Sequence, residues 1–130
     1  MIADAELIAF VPSTDLARSR EFYGGVLGLP LTEDSSFAAA FDANGTQLRV
    51  TRVEQRAAAP YTVLGWGVPD IARAIRELTG RGVEFARYDG MEQDADGVWR
   101  SPSGARIAWF RDPDGNVLSL TERRRQPTAH

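Results

Sequence analysis

The chain has 130 residues, 43% hydrophobic and 25% charged, the size and balance of one ordinary domain. It has no cysteine, its 15 basic residues are all arginine, and its one histidine is the terminal His130. Disulfides, thiolate nucleophiles, lysine Schiff bases and Ser-His or Cys-His couples are thereby excluded. The net charge is −3 although Arg123, Arg124 and Arg125 stand near the end, so the body before them is more acidic still. That disfavours nucleic acid as a partner and suits a cationic or neutral small ligand better than an anionic one, or simply maintains solubility. No apolar run approaches the ~18 residues of a membrane span, and the N-terminus lacks a secretory pattern. The expectation is a cytoplasmic protein with no membrane partner.

The first element is a strand, "ELIAFV" (6–11). A helix follows, entered at Asp15, whose carboxylate suits free backbone N–H groups and the positive dipole end. Leu16, Phe22, Tyr23 and Leu27 fall near helical spacing, and "GLP" ends it. Three strands are predicted over 30–34, 36–42 and 46–53, with "ANG" as a hairpin turn. Residues 54–60 read as a linker. The pattern then starts again, with a strand over 61–68 and a helix entered at Asp70. That helix carries an apolar stripe of Ile71, Ala74, Ile75 and Leu78 and ends at Gly80 or Gly82. Strands over 83–88, 97–101, 105–111 and 116–122 complete the second unit, and 123–130 reads as a disordered polar tail.

The restart is an internal repeat. "FDANGTQLRV" (41–50) superimposes on "RDPDGNVLSL" (111–120), with Asp42 on Asp112, Gly45 on Gly115 and Leu48 on Leu118. "TDLARSREF" (14–22) superimposes on "PDIARAIRE" (69–77). The first pair is offset by 70 residues and the second by 55, so the second unit carries an insertion around 88–104. Two βαβββ modules, 1–53 and 61–122, give an α+β protein.

Such a repeat, with "DLARSREFYGGVLGL" at its first helix and "AWFRDPDGNVLSL" at its last turn, resembles the vicinal oxygen chelate superfamily of glyoxalases, bleomycin-resistance proteins and extradiol dioxygenases. The resemblance implies tandem modules forming a cupped mixed sheet with helices outside, usually completed by homodimerisation. It also implies metal-ligand positions on the first and last strands of each module. In this sequence those positions are Ile8, Arg49, Val63 and Ser119. Divalent metals take nitrogen, oxygen or thiolate donors, typically three or more from the protein. Ile8 and Val63 offer none, Arg49 is cationic and Ser119 is at best one weak ligand, so no metal or other cofactor is expected.

Period-two alternation places further side chains in the cup. Phe10 accompanies Ile8, Gln47 accompanies Arg49, and Gly65 and Gly67 leave floor space beside Val63. The parity of Trp99 and Trp109 stays open: they stack on a ligand or pack in the core or an interface. Arg49 clamps a ligand anion or pairs with an acid of its own sheet. Tyr23 and Tyr61 are expected against the sheets. The acidic stretch "YDGMEQDADG" (88–97) lacks the order of a calcium loop and reads as a mobile solvated loop, with Tyr88 at its edge. The candidate ligand-binding set is Phe10, Gln47, Arg49, Gly65, Trp99, Trp109 and Ser119, with no catalytic residue. The expected function is metal-free capture of an aromatic or amphipathic small molecule. The alternative is a lyase, isomerase or dioxygenase working in the same cup.

Overall fold

A computed structural model describes residues 1–55 and 59–123. The expected linker therefore lies partly outside the described residues, and the expected disordered tail almost wholly so. Among the described residues no helix is long and apolar enough to cross a membrane.

The first module runs β1 (Ile8–Ser13), α1 (Leu16–Arg20), a π-helical turn (Glu21–Val26), β2 (Leu31–Asp34), β3 (Ala38–Ala43) and β4 (Thr46–Arg52). The second runs β5 (Thr62–Gly67), α2 (Ile71–Gly80), β6 (Trp99–Arg100), β7 (Arg106–Arg111) and β8 (Val117–Glu122). They form two four-stranded mixed sheets, ordered β1-β4-β3-β2 and β5-β8-β7-β6, rather than one continuous sheet. In each, the first strand lies parallel to the last and the others are antiparallel. The repeat is visible in the register: Phe10 pairs with Arg49 in one sheet, and Gly65 with Ser119 in the other.

Local chemistry accounts for the elements. Asp15 and Asp70 cap the two helices by accepting the Arg18 and Arg73 amides. Glu122 of β8 also accepts the Ile71 amide, tying α2 to its sheet. Asn44 and Gly45 both have positive φ, the backbone that a two-residue hairpin between twisted strands requires. The first helix is α-helical for only five residues before it widens into the π turn, which buries Tyr23 completely.

One core joins the modules. Val11, Tyr23, Phe41 and Leu48 of the first pack in the same cluster as Ile71, Ile75, Phe110 and Leu118 of the second. Phe22 of the π turn reaches Phe110 of β7, with ring centroids 6.4 Å apart. A buried polar clasp accompanies this contact. Asp112 accepts the Tyr23 hydroxyl at 2.7 Å, the Asn116 side-chain amide at 2.8 Å, and the backbone amides of Asp114 and Asn116. Asp114 accepts both the amide and the hydroxyl of Thr14, and Asn116 donates to the Pro12 carbonyl. The DPDG turn, the second module's counterpart of DANG (42–45), is thus the latch that docks one module on the other.

Three expectations are corrected. Residues 83–88 form no strand, and β6 is only two residues long. The alternation that suggested a strand is real, since Val83 and Phe85 pack on the core, but the ladder is interrupted. The Ala86 amide donates to the Trp109 carbonyl, and the chain then leaves β7 through the insertion and returns as β6. Tyr61, expected against a sheet, is 67% exposed at the start of β5.

Candidate functional site

Each sheet turns one face to the core and the other away from it. Leu64, Trp66, Ala108, Phe110, Leu118 and Leu120 face inward on the second sheet. Gly65, Ser119 and Trp109 therefore share the outer face, side by side in register, and Gly67, Thr121, Ile107 and Trp99 form the next row. The open parity resolves: both indoles lie on the face that holds the expected ligand positions.

Those indoles form a cluster. The Trp99 and Trp109 centroids are 6.2 Å apart, and Tyr88 meets Trp109 edge-on at 5.6 Å. Trp109 Nε1 donates to Thr62 Oγ1 at 3.0 Å, which holds the ring across β8. Beside this wall the floor is low. A Cβ on Gly65 would meet Ser119 Oγ at 2.6 Å, so only glycine leaves that hydroxyl its position. The result is a backbone-level recess with Ser119 and Thr121 on it and three aromatic rings at its side.

The outer face of the first sheet carries Ile8, Phe10, Gln47 and Arg49. Arg49 Nη1 donates to Glu33 Oε2 at 2.9 Å across Ala40, which lies between them in register. Of the two readings of Arg49, the pair with an acid of its own sheet is the one formed. Phe10 is 62% exposed, Ile8 44% and Val63 37%, so this apolar surface lies open in a single chain. Thr51 Oγ1, in register with Pro12 on the same side, is buried without a hydrogen-bond partner among the described residues.

The metal positions implied by the resemblance do not fit a divalent ion. Ile8 and Val63 are hydrocarbon, Arg49 is a guanidinium engaged by Glu33, and Ser119 brings one hydroxyl. Among the described residues no three His, Cys, Asp or Glu side chains are grouped to hold a metal.

In the sequence Glu33 is one of three glutamates near strand ends, with Glu54 and Glu122, none at a defensible inward position, and Thr62 and Gln93 are not singled out. Glu33 needed the bulge in β2 to set its parity, and Thr62 the bulge in β5. Gln93 ties the acidic insertion to the segments on either side of it. Its amide oxygen accepts the Tyr88 amide, and its nitrogen donates to the Ala86 and Gly97 carbonyls. Beside it, Asp94 accepts the Asp96 and Val98 amides.

A model of the Glyoxalase/Bleomycin resistance protein/Dioxygenase superfamily matches residues 7–120. The chain belongs to this superfamily. Solved structures of superfamily proteins share its fold. A member from Sphaerobacter thermophilus is 25% identical, with a TM-score of 0.72, covering 95% of this chain and 100% of that one. A bleomycin-binding protein complexed with bleomycin is 18% identical, with a TM-score of 0.72, covering 92% and 99%. A lactoylglutathione lyase from Agrobacterium tumefaciens is 16% identical, with a TM-score of 0.70, covering 92% and 93%. No curated protein sequence matches the chain. Superfamily membership accounts for the α+β fold and leaves the activity to the site, because binding proteins and enzymes are both among the neighbours.

Proposed function

We propose that this superfamily member is a cytoplasmic, homodimeric small-molecule-binding protein. It holds an aromatic or amphipathic ligand on the outer face of its second sheet, without a metal ion. The recess beside Trp109 carries this reading. In this reading a flat ring lies beside Ser119, over the open backbone at Gly67, with its edge toward the indoles of Trp109 and Trp99 and with the Ser119 and Thr121 hydroxyls in reach. Apolar walls with a few convergent polar groups are what small-molecule sites are made of. The exposed Phe10, Ile8 and Val63 support the homodimer, since a second copy would cover them and close the recess, with Gln47 and Arg49 at its margin. The absence of cysteine accords with a reducing compartment.

Tryptophan fluorescence tests the reading, with bleomycin and anilinonaphthalene sulfonate as probes. At least one probe binds saturably, with the same affinity in chelator, and Trp109→Ala weakens it about tenfold. Binding that chelator abolishes, or that ignores Trp109, contradicts the proposal. The enzyme alternative has one observation in its favour: Glu33 puts a carboxylate on the outer face of the first sheet. Turnover lost in Glu33→Gln and retained in chelator would establish it.

A further inference from the structure

The insertion that interrupts the second sheet also builds the aromatic wall, and one side chain does the joining. In the first module β2 lies along β3 as one edge strand, interrupted by a single bulge. In the second, the edge of β7 is shared by two separate pieces: residues near Ala86, joined to it by the Ala86 amide, and β6 after the insertion. Backbone pairing does not close the gap between the pieces. The Gln93 side chain does. Its carboxamide offers the acceptor of a peptide group and one donor more, accepting Tyr88 N–H at 2.8 Å and donating to Ala86 O at 3.0 Å and Gly97 O at 2.8 Å. Gln93 also bridges Trp99 through its own backbone. All four of these contacts fall at or close to Tyr88 and Trp99, the two residues whose rings are set against Trp109.

We infer that Gln93 is the positioning residue of the recess: a side-chain amide standing in for the missing ladder, which fixes Tyr88 and Trp99 around Trp109. This rests on reading the recess as a ligand site, but its geometry can be tested on the protein without ligand. It also identifies the insertion as the specificity element, since its length and its anchor set the spacing between the three rings. Ligands that need a rigid aromatic slot would depend on Gln93, and ligands held at Ser119 alone would not.

The test combines two variants with one measurement on the unchanged protein. Gln93→Leu keeps the bulk and removes all three hydrogen bonds. Gln93→Glu keeps an acceptor for Tyr88 and turns a carboxylate toward two carbonyl oxygens. Both variants are expected to lose most of the near-ultraviolet dichroism of the Trp99–Trp109 pair while far-ultraviolet dichroism and cooperative unfolding persist. In the unchanged chain the Tyr88 amide is expected to exchange with solvent about tenfold or more slowly than in an open peptide, because Gln93 holds it. A near-ultraviolet spectrum unchanged in a folded Gln93→Leu, or a Tyr88 amide exchanging at the open rate, overturns the inference. A fall in melting temperature alone, with the aromatic spectrum intact, makes Gln93 merely structural and overturns it as well. Should both variants fail to fold, the exchange rate of the Tyr88 amide decides. None of these outcomes depends on whether any probe binds, so failure here and failure of the ligand reading are distinguishable.

Discussion

Gly65 faces Ser119 across one rung of the second sheet, and the two residues constrain each other. A methyl group on Gly65 would sit 2.6 Å from Ser119 Oγ and 3.5 Å from the Ser119 carbonyl. Gly65→Ala is expected to cost about 1 kcal/mol or more, the usual penalty of overpacking, in urea unfolding. In a Ser119→Ala background the same change is expected to be neutral or stabilising, so the double-mutant cycle shows a clear coupling. Arg49 gives the opposite lesson. Its pair with Glu33 leaves 33% and 60% of the two side chains exposed. Arg49→Ala is therefore expected to change stability by less than ~1 kcal/mol. At this scale the sequence was partly legible. Alternation from the repeated turns put Phe10 and Arg49, and Gly65 and Ser119, on matching positions, and the register agrees. Glu33 was hidden because a bulge in β2 breaks that count. The sides taken by Trp99 and Trp109 became plain only with Phe110 seen in the core.

At the scale of elements, the DPDG turn and the π turn act as one device. Asp112 gathers four donors from three residues, and Tyr23 is wholly buried against it. Asp112→Ala leaves those donors unsatisfied inside the protein and is expected to destabilise by about 3–5 kcal/mol in denaturant unfolding. Burial first, and then the negative Asp112 carboxylate that accepts its hydrogen bond, raise the Tyr23 phenol far above its ordinary value. The folded state therefore keeps this proton after the unfolded chain releases it. The resulting stability is fully present below pH ~10 and declines above it, by about 1.4 kcal/mol per unit. Tyr23→Phe loses the hydrogen bond but cannot ionise. Its deficit relative to the parent is expected to narrow on that slope above pH ~10, as urea unfolding across the alkaline range would show. The helices and most strands were legible because caps, turns and apolar periods agreed. The exception, 83–88, kept a strand's alternation while the insertion took away its ladder, and alternation alone cannot report a missing partner.

At the scale of the molecule, the two modules share one core on one side and leave two faces open on the other. The repeat in the sequence announced two equivalent βαβββ units, and the two sheets have the same strand order. It did not announce which outer groups would meet, because that depends on bulges and on a side chain, Gln93, spliced between strands. Phe10, Ile8 and Val63 are exposed in the single chain, and the proposed homodimer would cover them. The most direct test of this account is native mass spectrometry of the freshly purified protein, because one spectrum reports subunit number, bound metal and any carried organic molecule. The account predicts a dimer without metal, bare or carrying an aromatic or amphipathic adduct. A stoichiometric transition metal would contradict the reading of Ile8, Arg49, Val63 and Ser119 and put a metal-dependent enzyme first.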